Sequence, residues 1–134
     1  MNSFPLKIVT PDGLLFDGQA EELIVRTTTG DLGILAGHIN CVAPLGMGRA
    51  TVIVDGKKRY AACIGGMVSV LNGEVALVPT TFEWAEDIDS VRVEKSYERA
   101  QKILDSKDAS GADIRLAQAR LRRALVRRGV VSQK

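Results

Sequence analysis

A chain of 134 residues with 46% hydrophobic side chains can hold one packed domain, or one small domain with an appendage. Aromatic residues make up only 4%, so aliphatic side chains must fill the core. Cys41 and Cys63 have neither CxxC spacing nor nearby ligand residues, which disfavours a metal site or a disulfide and predicts buried free thiols. No apolar run approaches the ~20 residues that span a bilayer, and the N-terminus lacks a signal-peptide pattern. The expectation is a soluble protein of a reducing compartment.

The net charge of +2 hides an asymmetry. Up to Asp87 there are six Lys/Arg against ten Asp/Glu; from Ile88 onward there are twelve against six. Two parts with different partners are implied, the second seeking something acidic.

The first part reads as strands. In LKIVTPDGLLF, a Pro-Asp-Gly turn separates two apolar runs, and AEELIVRTTTG is a β-branched run ended by glycine. Next comes TTTGDLGILAGH, Thr27 to His38, with three glycines and the single histidine. A phosphate loop would need Lys-Ser/Thr at a helix start, and here His38 and Ile39 follow Gly37. The stretch predicts glycine-permitted turns between strands, with Asp31 and His38 as loop residues at one end of a sandwich. Pro44, Gly46 and Gly48 continue the irregular passage. Asp55-Gly56 and Asn72-Gly73 then supply the positive φ angles of tight hairpins. Gly65 and Gly66 predict a bend or bulge rather than an uninterrupted strand. The pattern predicts an antiparallel β-sandwich or barrel.

After Trp84 the pattern turns helical. Val93, Tyr97, Ala100 and Leu104 share one stripe at ~100° per residue, and Asp87 or Asp89 can cap the start. DSKDASG breaks the run, and Ser110 with Asp113 resembles a capping box. Ile114, Ala117, Leu121, Ala124 and Leu125 make the second stripe, ended by Gly129. The predicted class is α+β, mainly β: a sandwich over 1–86, then a two-helix antiparallel hairpin over 87–134. The narrow stripes bury too little to stand alone, so the hairpin should dock on the sandwich or on a partner, and be mobile.

Arg120, Arg123 and Arg127 fall within ~60° of one another on the second helix, with Arg115 and Arg122 on the other side of its apolar stripe. A solvated basic face explains them most simply. Without interleaved aromatics or a recognised fold, nucleic acid is a poor target, and the apolar face is too narrow for a membrane helix. An acidic protein surface or a polyphosphate fits better.

The runs GDLGILAGH and APLGMG (Gly30 to Gly48), then GGMVSV (Gly65 to Val70) and VALVPTTFEWAEDID, resemble the epsilon-subunit family of F-type ATP synthases, called delta in mitochondria. The resemblance spans essentially the whole chain. Ala36, Ile39 and Asn40 depart from the family pattern. It implies a non-catalytic central-stalk subunit that couples the gamma shaft to the c-ring of a proton-translocating synthase. Its place would be peripheral, on the cytoplasmic face of a bacterial plasma membrane. By resemblance, Asp31 and His38 would meet the c-ring or gamma. An extended hairpin, reaching among the beta and alpha subunits, would set Arg115, Arg122, Arg123 and Arg127 against the beta subunit and block hydrolysis. Some members bind regulatory ATP through an Ile/Leu-Asp-x-x-Arg-Ala motif and two arginines of helix two. Ile88, Asp89, Arg92, Arg123 and Arg127 match those positions, with Val93 in place of Ala. Two other readings compete: a free-standing ATP-binding sensor, and a small enzyme pairing His38 with Asp31.

Overall fold

The computed structural model describes residues 2–132. The chain forms β1 (Phe4–Thr10), β2 (Gly13–Ala20), β3 (Glu22–Thr27), β4 (Gly30–Leu35), β5 (Cys41–Pro44), β6 (Met47–Val54), β7 (Lys57–Leu71) and β8 (Glu74–Trp84). A 3-10 turn, Ala85–Asp87, leads to helices α1 (Ser90–Asp105) and α2 (Gly111–Val131).

Alternation builds the sandwich. Along β1, Phe4, Leu6, Ile8 and Thr10 face inward while Pro5, Lys7 and Val9 face outward, as a half-buried strand requires. Aliphatic residues fill the core, and Phe82 and Trp84 meet edge to face at 4.9 Å between ring centres. Asp55-Gly56 and Asn72-Gly73 close the β6–β7 and β7–β8 hairpins, and all four residues have positive φ. The strands run in the order β2-β1-β8-β7-β6-β3-β4, with β5 against β7. Pairing is antiparallel except between β1 and β8, which are parallel. Those two strands meet by closure of the sandwich and not through a hairpin, so no tight turn imposes reversal.

Three local expectations change. Gly65 and Gly66 do have positive φ (68° and 96°) and the expected bend, but the strand is not interrupted: the ladder to β8 skips Gly65 and keeps its register, with Ile64 opposite Thr81 and Gly66 opposite Pro79. The strand bends without breaking: its first part pairs with β6 and its last part with β5. Second, Cys41–Pro44 is a strand, not an irregular passage, because β7 offers it a free edge beyond the bend. Third, α2 continues through Gly129 to Val131, which buries Val130. Leu125, turned ~100° from buried Ala124, is 45% exposed.

The hairpin docks on the sandwich through a small second cluster, Ala62, Ala85, Ile88, Val93, Ala124 and Val130, with α2 lying over β6 and β7. Asp89 is the α1 cap: its Oδ1 accepts from the Arg92 amide at 3.1 Å. Asp87 falls in the 3-10 turn instead. Ser110 caps α2 by accepting from the Asp113 amide at 3.1 Å.

Candidate functional site

Between the sandwich and the hairpin opens a cleft of about 490 Å³. The end of β1 contributes Thr10 with Asp12 beyond it, and β8 contributes Thr80, Thr81 and Glu83. The opposite wall holds Ile88, Asp89, Arg92 and Val93 of the linker and α1, and Ala124 and Arg127 of α2. Four of the five residues matching the nucleotide motif thus share one cavity. Arg123, one turn back along α2 from Arg127, is half-buried and lies outside that lining. The Asp89 carboxylate is engaged with the helix start, and Val93 is buried in the hairpin contact.

Sequence reasoning missed Glu83. Its Oε1 accepts from Arg127 Nε at 2.5 Å across 44 residues of chain. The local signal is only a polar residue between buried Phe82 and Trp84, and its partner is set by helix docking. Arg128 was missed as well. It donates from Nε and Nη2 to the two oxygens of Glu94, each at 2.8 Å, and lies over the Tyr97 ring at 4.0 Å. Bonding to Glu94 pushes its pKa above the ordinary arginine range and joins the two helices.

Asp31 is not a loop residue. A tight turn at Thr28 and Thr29 starts β4 at Gly30, so Asp31 sits in the strand opposite Arg26, whose Nε is 3.0 Å from its Oδ1. Asp31 and His38 are not at one end of the sandwich either. Asp31 lies near the beginning of β4, whereas the His38 amide bonds to the Leu35 carbonyl at its far end. His38 Nδ1 donates to the Ile39 carbonyl at 2.8 Å, and the Cys41 sulfur is 4.0 Å away. The strand between Asp31 and His38 removes the proposed enzymatic pair. Arg115 and Arg122 are exposed on α2, and with Arg123 they form no ion pair among the described residues.

Cys41 and Cys63 are both free thiols; Cys63 is buried, and burial pushes its pKa up to about 12. No helix among the described residues is long and apolar enough to cross a membrane, and no group of three or more His, Cys, Asp or Glu side chains there could hold a metal ion.

A sandwich carrying a docked two-helix hairpin, with a cleft at the joint, defines a two-part α+β protein. Two family models divide the chain between them. Residues 3–85 match the β-sandwich domain of the ATP synthase delta/epsilon chain, and residues 86–130 match its long α-helix domain. The ATP synthase epsilon chain of Shouchella clausii is 37% identical over 134 residues, covering 100% of this chain and 98% of that one. That of Bacillus subtilis is 42% identical over 115 residues, 86% of each chain. A chain in the cryo-EM structure of the Euglena gracilis mitochondrial ATP synthase, described as OSCP/F1/c-ring, superposes with a TM-score of 0.85 at 25% identity, covering 96% of this chain and 81% of that chain. The chain belongs to the delta/epsilon family of F-type ATP synthases, as a non-catalytic epsilon subunit of the central stalk.

Proposed function

We propose that the sandwich docks on the gamma subunit and the c-ring, at the cytoplasmic face of a bacterial membrane, while the hairpin restrains ATP hydrolysis. The observation that carries the docking half is an exposed apolar row across the outer face of the sandwich. Pro44 is paired with Met67 and Met67 with Val78, while Val9 is paired with Leu14. The parallel register of Ile8 against Leu77 brings the two sets side by side. Leu14 is 59% exposed, Val78 49%, Met67 42% and Val9 37%. An aligned apolar face of this kind needs a partner, and the family supplies gamma. Asp31 and His38, at separate ends of β4, would then serve separate contacts: Asp31 toward the c-ring and His38 toward gamma.

For the restraint, Arg115, Arg122 and Arg123 are cations of α2 without an ion pair among the described residues, directed at acidic surface of the beta subunit once the hairpin extends. Arg127 joins them only after leaving Glu83. The test is hydrolysis by a gamma-containing catalytic head with added full chain. Met67→Glu with Val78→Glu should weaken binding tenfold or more, on the order of a central interface residue. Joint replacement of Arg115, Arg122 and Arg123 by alanine should keep binding and relieve inhibition. Retained binding in the first variant, or full inhibition by the second, would refute the respective half.

The cleft supports a second reading, regulatory ATP. Ile88, Asp89, Arg92 and Arg127 line one cavity, and the two guanidinium groups suit phosphate oxygens. A ligand held there favours the docked hairpin, since it stabilises the state it binds better. Calorimetric titration with ATP tests this, with Arg92→Ala expected to abolish measurable binding. ATP binding by the isolated chain without any affinity for a gamma-containing head would favour the free-standing sensor.

A further inference from the structure

The cleft already contains a carboxylate paired with one of its own arginines. Among the described residues the ion pairs are four, and only Glu83–Arg127 joins α2 to the sandwich. Arg26–Asp31 lies within the sandwich, Arg59–Glu86 ties β7 to the 3-10 turn, and Arg128–Glu94 lies within the hairpin. The Glu83 backbone is fixed in the sheet. It is paired with Ala62, which is fully buried in the docking cluster, and its neighbours Phe82 and Trp84 are buried in the core. Asp12, Asp87 and Asp89 line the same cleft, so carboxylates outnumber the guanidinium groups of Arg92 and Arg127 there.

A polyphosphate entering this space meets surplus negative charge and finds one of its two arginines engaged. Resting on the reading of the cleft as a phosphate-binding site, we propose that Glu83 is a built-in competitor for Arg127. With the cleft empty it latches α2 to β8; when a polyphosphate binds, the guanidinium passes from Glu83 to phosphate oxygens. Latch and ligand site are therefore one cation used alternately. A partner exchange of this kind gives one substitution two effects of opposite sign. Removing the Glu83 charge loosens the empty hairpin and strengthens anion binding. Removing the Arg127 charge weakens both.

The experiment uses the full chain and two readouts. Amide hydrogen exchange along α2, without ligand, reports docking; sandwich amides serve as the internal control for folding. Titration with inorganic tripolyphosphate reports binding of the anion alone. Glu83→Gln should make the amides of residues 124–130 exchange roughly three- to tenfold faster. It should also bind tripolyphosphate more tightly, by a factor on the order of three to ten at low salt. Arg127→Gln should show the faster exchange with weaker binding, and the double variant should loosen no further than either single one. Unchanged α2 exchange in Glu83→Gln overturns the latch. Tripolyphosphate that binds Glu83→Gln no better than the unaltered chain, or binds neither, overturns the exchange of partners. ATP titration of the unaltered chain, run in parallel, decides the phosphate-site reading separately. Should Glu83→Gln disturb the sandwich amides, Arg127→Gln and Arg127→Lys carry the same comparison from the helix side, with Lys expected to restore part of both effects.

Discussion

The Arg26 side chain crosses directly over Gly48: a Cβ at position 48 would lie 2.6 Å from Arg26 Cβ and 3.0 Å from its Cγ. Across β3 and β4 the guanidinium then reaches Asp31 at 3.0 Å. The missing side chain on β6 is what lets Arg26 pass. Gly48→Ala is expected to lower unfolding stability by about 1–3 kcal/mol, the range of an overpacked contact, because the near atom is Cβ and not a flexible tip. Chemical denaturation measures it. Asp31→Asn, which breaks only an exposed pair, should change stability by less than about 1 kcal/mol. Equal effects of the two would show that the close passage over Gly48 is not strained by a methyl group.

Gly66 has less freedom still. At φ 96°, a Cβ there would collide with the Val78 carbonyl oxygen and lie 2.6 Å from Pro79 Cα. Gly66→Ala should destabilise by about 3 kcal/mol or more, combining backbone strain with a backbone clash. Gly56→Ala has φ 75° but no atom within 4 Å of the added carbon, so it carries strain alone and should cost less. Thermal melts of the two variants give the order; a reversed order would discard the clash.

The thiols separate by burial. At pH 8 a thiol reagent should label Cys41, which is partly exposed, and reach Cys63 only on unfolding. Burial raises the Cys63 pKa from 9.0 to about 12, so the unfolded thiol ionises first. The stabilising contribution is complete below pH 9.0 and is lost as pH rises toward about 12. Cys63→Ala should flatten that alkaline decline. An unchanged slope between pH 9 and 11 would show that another group governs it.

Ser110 bonds the Asp113 amide at 3.1 Å and starts α2. Ser110→Ala should loosen the first turn of α2 by about 1 kcal/mol, read by amide exchange, with no effect on sandwich amides. Ser110→Asp should restore protection. Slow exchange in Ser110→Ala would mean that docking, not capping, holds that end.

What could be read from sequence follows the range of the interactions involved. Asp55-Gly56, Asn72-Gly73 and the Ser110–Asp113 box act over two to four residues, and each forms as its local chemistry dictates. The nucleotide-motif residues Ile88, Asp89 and Arg92 share a turn, so their common wall was legible too. Errors arose where a distant partner decides. Asp31 looked like a loop residue because its strand is defined by pairing with Arg26, and β5 by an edge that β7 exposes only after its bend. Glu83 was invisible for the same reason, since Arg127 stands 44 residues away. Leu125 and Gly129 show helical periodicity overruled by what α2 leans against: burial of Val130 carries the helix past its own stop signal.

The bend at Gly65 and Gly66 has a mechanical meaning. Because β7 pairs with β6 before the bend and with β5 after it, and with β8 on both sides of the bend, both layers of the sandwich are spanned by the same two peptide strands. A force applied to one layer reaches the other along covalent backbone, without relying on side-chain friction between them. The sandwich therefore turns as one stiff block, and compliance is left to the small alanine-rich seam beneath α2.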